Sequence, residues 1–142
     1  FFTVYGPWGR PDMAYFSFTK NILEGKSINV FNKGKMKRDF TYIDDIISGT
    51  KAAVKKNYPC EIFNLGNSES IELMEFISIL EKNIGKKAKI SFLPMQNGDV
   101  KATYANISHS TKMLNYKPET KIHKGLKSFV AWYQSYFSDK VI

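Results

Sequence analysis

The chain has 142 residues, 43% of them hydrophobic and 15% aromatic, enough for one domain with a real core. Its formal charge of +8 sets 21 basic against 13 acidic residues, and only two of the basic residues, Arg10 and Arg38, are arginines. No run of about 18 apolar residues exists, which excludes a helical membrane span, and the lone Cys60 excludes an internal disulfide and fits a reducing cytoplasm.

Phe1–Tyr5 is a short apolar run that reads as a buried strand rather than a signal peptide, having neither a basic leader nor a small-residue cleavage site. A chain that opens inside a strand is expected to be part of something longer. Gly6-Pro7-Trp8-Gly9 is a turn. Asp12 is placed to cap the next helix and Gly25 to end it in the left-handed region, with Tyr15, Phe18 and Ile22 forming its apolar stripe. Ile28–Phe31 reads as a strand, Asn32–Lys35 as a turn, and Arg38–Tyr42 as extended chain.

A helix over 43–56 follows, with Ile43, Ile46, Ile47, Thr50, Ala53 and Val54 spaced to share one face. Tyr58-Pro59 stops it. Glu61–Leu65 reads as another strand, closed by Gly66-Asn67. Ser70 is placed to cap a helix carrying Leu73, Met74, Ile77, Leu80 and Ile84, which Gly85 ends. Lys89–Leu93 is a strand and Gln96–Asp99 a loop. A short helix covers 107–114 with Asn106 as its cap, and Ile122, Leu126, Phe129, Val130, Tyr133 and Phe137 define a final helix. Strand and helix alternate, so the class is α/β, in one unit over residues 1–142. No glycine-rich dinucleotide loop stands between a strand and a helix.

The charge has two readings. A nucleic-acid surface concentrates Arg and Lys in a stripe with aromatics between them. Here the lysines run from Lys20 to Lys140, with one modest cluster at Lys33, Lys35, Lys37 and Arg38. A lysine-rich solvated surface around a pocket for an anion is the preferred reading, and no nucleic-acid or membrane partner is expected. With lysine so abundant, the two arginines suit a task that lysine does poorly: bidentate gripping of a carboxylate or phosphate. His109 and His123 have no second ligand at metal spacing, so no metal site is expected. Ser110 and Ser128 lack a nucleophile-elbow setting.

Two motifs carry the chemistry: Phe-Phe-Thr-Val-Tyr-Gly-Pro-Trp-Gly-Arg-Pro-Asp at 1–12 and Lys-Arg-Asp-Phe-Thr-Tyr-Ile-Asp-Asp at 37–45. Taken alone, the first is a strand end and a turn, and most of the second is core plus a helix start. Together they resemble the C-terminal part of the nucleotide-sugar epimerases of the extended short-chain dehydrogenase/reductase family, and most nearly the UDP-glucuronate 4-epimerases. A third segment, Asn97-Gly98-Asp99-Val100 with Thr103-Tyr104-Ala105-Asn106, is similar to the family's Pro-Gly-Asp-Val and Thr-Tyr-Ala-Asp. It departs from that pattern at Asn97 and Asn106, while Asn115 replaces a family glycine and tolerates the left-handed region.

The resemblance implies an incomplete Rossmann-type fold: the C-terminal substrate-binding region, with the N-terminal NAD-binding part absent. It implies that Thr3 and Arg10 contact the sugar's C5 carboxylate, where many relatives with neutral sugars carry Asn at the Thr3 position. Arg38 is implied to bind the UDP pyrophosphate and Asp99 the ribose. Phe31 is implied to meet the uracil, though it reads equally well as ordinary core. The family oxidises the sugar at C4 with NAD and returns the hydride to the opposite face. Its catalytic Tyr-x-x-x-Lys pair and glycine-rich loop lie upstream of the Tyr-Gly-Pro segment, so no catalytic residue is assigned here. The chain alone is expected to be inactive, and cofactor contacts on it are not assigned. The whole protein is expected to be a cytoplasmic homo-oligomer serving cell-surface polysaccharide synthesis. The alternatives are a nucleotide-sugar 4,6-dehydratase or UDP-glucuronate decarboxylase of the same family, and a non-enzymatic basic binding module.

Overall fold

The computed structural model describes residues 1–138. The element order is β1 (Thr3–Tyr5), α1 (Ala14–Leu23), β2 (Ser27–Phe31), a 3-10 turn at Asn32–Gly34, β3 (Lys37–Tyr42), α2 (Ile43–Lys56), β4 (Ser70–Glu72), α3 (Leu73–Ile84), β5 (Lys89–Leu93), α4 (Ser108–Leu114) and α5 (Ile122–Ser138).

β3 is the centre of a three-stranded sheet. β1 pairs with it in parallel, Thr3 opposite Phe40 and Tyr5 opposite Tyr42, and β4 pairs antiparallel, with Arg38 opposite Ile71. β2 and β5 form a separate parallel pair, from Ser27 opposite Lys89 to Phe31 opposite Leu93. A further parallel bridge joins Lys37 to Ala102, so the chain after β5 is stapled to the start of β3.

The main core is aromatic. Tyr5, Tyr15, Phe16, Phe40, Phe76 and Phe129 are buried together with the aliphatic stripes of α1, α3 and α5, and Phe40 stacks on Phe76 with ring centres 4.5 Å apart. A smaller cluster of Ile46, Leu65, Leu114 and Tyr116 sits between α2 and α4. The Tyr5 hydroxyl is buried with no hydrogen-bond partner among the described residues, and burial pushes its phenol far above the ordinary range. Gly125 makes that burial possible, because a Cβ there would lie 2.1 Å from the Tyr5 oxygen.

Helix ends follow local chemistry. Asp44 and Asp45 open α2 and Lys55 and Lys56 close it, complementing the macrodipole, and Asn57 ends it at φ 49°. Gly85 ends α3 at φ 76° and Asn115 ends α4 at φ 54°. Asn106 is not the cap of α4, which starts at Ser108 after Ile107 without a side-chain cap; its Oδ1 accepts the Ser108 N–H at 3.0 Å from one residue further out.

Several expectations change. Of the 1–5 run only Thr3–Tyr5 is strand, with Tyr5 alone of the three buried, and Phe1 is exposed. The 61–65 segment is not a strand: Leu65 is buried, but Ile62 is 85% exposed. Its polar groups are met by side chain and loop instead. Ser110 Oγ donates to the Asn64 carbonyl at 2.6 Å, and Asn64 Nδ2 donates to the Asn106 carbonyl at 3.3 Å. Ser70 lies in β4 rather than at a cap, its hydroxyl donating to the Thr103 carbonyl. Asp12 does not cap α1, which starts after Met13 without a side-chain cap. The apolar face of α2 is rotated: Ile46 is buried but Ile47 and Val54 are exposed, while Asp45 and Gly49 turn inward. Gly49 packs where a Cβ would come within 2.7 Å of Leu65 and 2.8 Å of Tyr116. Asp45 accepts the Glu119 and Thr120 N–H groups, each at 3.0 Å.

Candidate functional site

A cleft of about 520 Å³ opens between α1, β2, the start of β3 and the loop before Val100. Thr3, Phe31, Arg38 and Asp99 all line it. They come from β1, the end of β2, β3 and the loop after β5, so the β3-centred sheet and the β2–β5 pair together bring them to one place. Arg10 does not line the cleft, although Asp12, two residues on, does.

α1 borders the cleft with its first turn and with the Ala14, Ser17, Phe18 and Asn21 side. Its first turn carries no acidic residue, so the unpaired N–H groups of that helix end favour an anion. Apolar walls come from Phe31, Phe40, Ile71 and Leu73, and polar lining from Ser17, Asn21, Ser27 and Asn29. An apolar cleft with a few placed polar groups and one cation suits a ligand with a flat ring and an anionic middle.

Arg38 reaches this cleft as a half-buried side chain. Its Nη2 donates to Asp99 Oδ1 at 2.6 Å and its Nη1 to the Lys37 carbonyl at 2.8 Å. Asp99 is held in turn, since its N–H donates to the Gln96 carbonyl and its Oδ1 accepts the Val100 N–H at 2.9 Å. The segment is locked to β3 by Lys37 N–H to Lys101 O at 2.9 Å and Thr103 N–H to Lys37 O at 3.1 Å. The expected pyrophosphate and ribose residues are therefore each other's partners. Lys33, Lys35 and Lys37 are exposed.

Arg10 stands in water, its guanidinium fork closed on Asp12: Nε donates to Oδ1 at 3.1 Å and Nη2 to Oδ2 at 2.5 Å. Hydrogen bonding to Arg10 holds the Asp12 carboxyl below the usual carboxylate range. Trp8, at φ 62° and 73% exposed, lays its ring against Trp132 and Tyr136 of α5, at 5.4 and 4.8 Å between ring centres. That contact pins the loop ahead of Arg10 to α5. Trp8 and Trp132 are packing partners.

Two acids escaped the sequence reading. Asp39 is fully buried, and its carboxylate accepts from the Asn67 N–H at 2.7 Å, the Ala105 N–H at 3.0 Å and the Thr41 hydroxyl at 3.2 Å. The available signal was an acid inside an otherwise core-like strand, which requires partners. Asp12 carried the opposite signal, since a position before a helix invited a capping role. A Tyr-x-x-x-Lys spacing does occur once, at Tyr136 to Lys140. Tyr136 stacks on Trp132 at 5.4 Å in α5 rather than lining the cleft, and Lys140 lies outside the described residues. Among the described residues no cluster of His, Cys, Asp or Glu fits a metal ion, and no helix is long and apolar enough to cross a membrane.

Residues 1–66 match the NAD dependent epimerase/dehydratase family. An uncharacterized protein of Methanocaldococcus jannaschii is 59% identical over 133 residues, covering 94% of this chain and 41% of that protein. UDP-glucuronate 4-epimerase 4 of Arabidopsis thaliana is 51% identical, covering 97% of this chain and 36% of the relative. Among solved structures, the UDP-glucuronic acid 4-epimerase of Bacillus cereus in complex with UDP-glucuronic acid and NAD superposes with a TM-score of 0.90 at 40% identity. That superposition covers 95% of this chain and 44% of the other. The chain thus spans less than half the length of the relatives it matches, corresponds to their C-terminal region and shares the α/β fold of the extended short-chain dehydrogenase/reductases.

Proposed function

We propose that this chain, whose residues 1–66 match the NAD dependent epimerase/dehydratase family, is the UDP-sugar-binding part of a nucleotide-sugar 4-epimerase acting on UDP-glucuronate. One observation carries the reading: Thr3, Phe31, Arg38 and Asp99, spread over 97 positions of sequence, line a single cleft. In this reading Arg38 grips the pyrophosphate with the field of the α1 N-terminus beside it. Asp99 turns from Arg38 to accept from the ribose hydroxyls, and Phe31 stacks on the base. Thr3 and Arg10 hold the uronate carboxylate, Arg10 by swinging inward from its exposed position.

The carboxylate hold has a chemical purpose. Oxidation at C4 of a uronate gives a β-keto acid, which loses carbon dioxide when the bond to its carboxylate aligns with the carbonyl π system. A guanidinium fork and a hydroxyl keep the carboxylate off that alignment while the ring is turned over. The sequence has no glycine-rich strand–turn–helix, so the pyrophosphate of NAD finds no cradle among these residues. Their part is to bind and orient the sugar nucleotide, and the chain by itself has no turnover. The whole protein then supplies UDP-galacturonate for cell-surface polysaccharide, in the cytoplasm and as a homo-oligomer.

The test is conversion by the full-length protein. With UDP-glucuronate and NAD it is expected to form UDP-galacturonate, resolved by anion-exchange chromatography. A UDP-pentose as the main product moves the assignment to a decarboxylase. No conversion, with no detectable UDP binding by calorimetry, overturns the nucleotide-sugar reading.

A further inference from the structure

The Arg10–Asp12 pair has the geometry of the contact assigned to the ligand. Two parallel N–H to oxygen bonds join guanidinium and carboxylate, at 3.1 and 2.5 Å, as a bound uronate would be joined. Asp12 borders the cleft and Arg10 does not. Thr3 also lines the cleft, and its hydroxyl makes no hydrogen bond among the described residues.

We propose that Asp12 is a positioning residue that acts as an internal stand-in for the ligand's carboxylate: it parks Arg10 outside the cleft, and the uronate binds by exchanging one carboxylate for another in the same guanidinium fork. The inference rests on the proposed UDP-uronate reading of the cleft. The Met13 N–H donates to the Arg10 carbonyl at 3.2 Å, closing a turn over 10–13, and the Trp8 ring packs the loop ahead of it against α5. The exchange is a movement of side chains carried on that turn.

The exchange replaces one carboxylate by another in the same fork, so the guanidinium keeps a charge-assisted partner on both sides of the equilibrium. A neutral hexose offers the fork nothing, and Arg10 stays with Asp12. A uronate offers an equal partner, but has to outcompete one held two residues away. Asp12 therefore moderates uronate affinity, for substrate and product alike, and leaves neutral ligands unaffected.

The test is a cycle of Asp12→Asn and Arg10→Gln in the full-length protein, with affinities for UDP, UDP-glucose and UDP-glucuronate measured by calorimetry. Asp12→Asn is expected to tighten UDP-glucuronate about two- to five-fold, the scale of an exposed ion pair, with UDP and UDP-glucose unchanged. Arg10→Gln is expected to weaken UDP-glucuronate and to make Asp12→Asn silent, a coupling that a merely structural aspartate would not show. UDP bound normally with no change in the UDP-glucuronate to UDP-glucose ratio on Asp12→Asn overturns the exchange alone. No UDP binding by the unaltered protein overturns both the exchange and the reading beneath it.

Discussion

Arg10 and Arg38 each hold an aspartate, and the two pairs are built on different principles. Arg10 and Asp12 are two residues apart, and their side chains are 76% and 60% exposed. Arg38 and Asp99 are 61 residues apart and only 21% and 31% exposed. The outer pair needs nothing but a turn. The inner pair requires β3, the loop after β5 and the Lys37–Ala102 bridge to be in place together. Water surrounds the first and competes for it, whereas the second is framed on several sides by fixed backbone. The outer guanidinium is thus suited to swing and exchange, and the inner one to wait at a fixed point.

The strongest way to break this contrast is to remove the frame behind Arg38. Asp39→Ala leaves the Asn67 and Ala105 N–H groups and the Thr41 hydroxyl without their buried acceptor. It is expected to destabilise the full-length protein by about 3 kcal/mol or more, read by chemical denaturation, whereas Asp12→Ala should leave the denaturation midpoint in place. Equal losses would mean that the two sites share one frame. Next in size, Arg38→Ala should weaken UDP binding roughly 100-fold, the value of two charge-assisted hydrogen bonds. Arg10→Ala should leave UDP itself untouched, and calorimetry with UDP and UDP-glucuronate separates the two.

A smaller effect belongs to the anchor of the outer loop. Trp8→Ala removes the ring contacts to Trp132 and Tyr136 and is expected to cost about 1 kcal/mol of stability. With the loop loosened, UDP-glucuronate affinity should fall while UDP affinity holds. The smallest effect is a titration. Asp12 is depressed by its hydrogen bond to Arg10, so the pair's contribution is complete above the ordinary carboxylate pKa and is lost as pH falls through the lowered one. In Arg10→Gln the Asp12 carboxyl should return to the ordinary range, seen as a shifted side-chain carboxyl titration by NMR. An unchanged titration would mean that the outer pair does not persist in solution.

Much of the scaffold was legible because its cues are local. The end of α2 ahead of Tyr58-Pro59, the end of α3 at Gly85, the strand at 89–93 and the apolar stripe of α5 follow from periodicity and from residues that break a helix or accept the left-handed region. The misreadings share a cause. At 61–65 the alternation of burial was right at Leu65, but a strand also needs a hydrogen-bonding neighbour, and none stands there among the described residues. On α2 the count of apolar side chains favoured the Ile47–Val54 side. The close approach of Leu65 and Tyr116 at Gly49, together with the Asp45 carboxylate, turned the helix the other way.

The order of amino acids was enough for the alternation of strands and helices, the C-terminal ends of the helices and the scarcity of arginine. Those depend on bonds and torsions within a few residues. Only the packed fold brought Arg38 to the Asp99 carboxylate, tied three segments together through Asp39, and turned Thr3, Phe31, Arg38 and Asp99 toward one cleft that Arg10 does not line. The reason is range. A hydrogen bond or ion pair acts over a few ångströms, and only packing of the aromatic core brings residue 99 within that distance of residue 38.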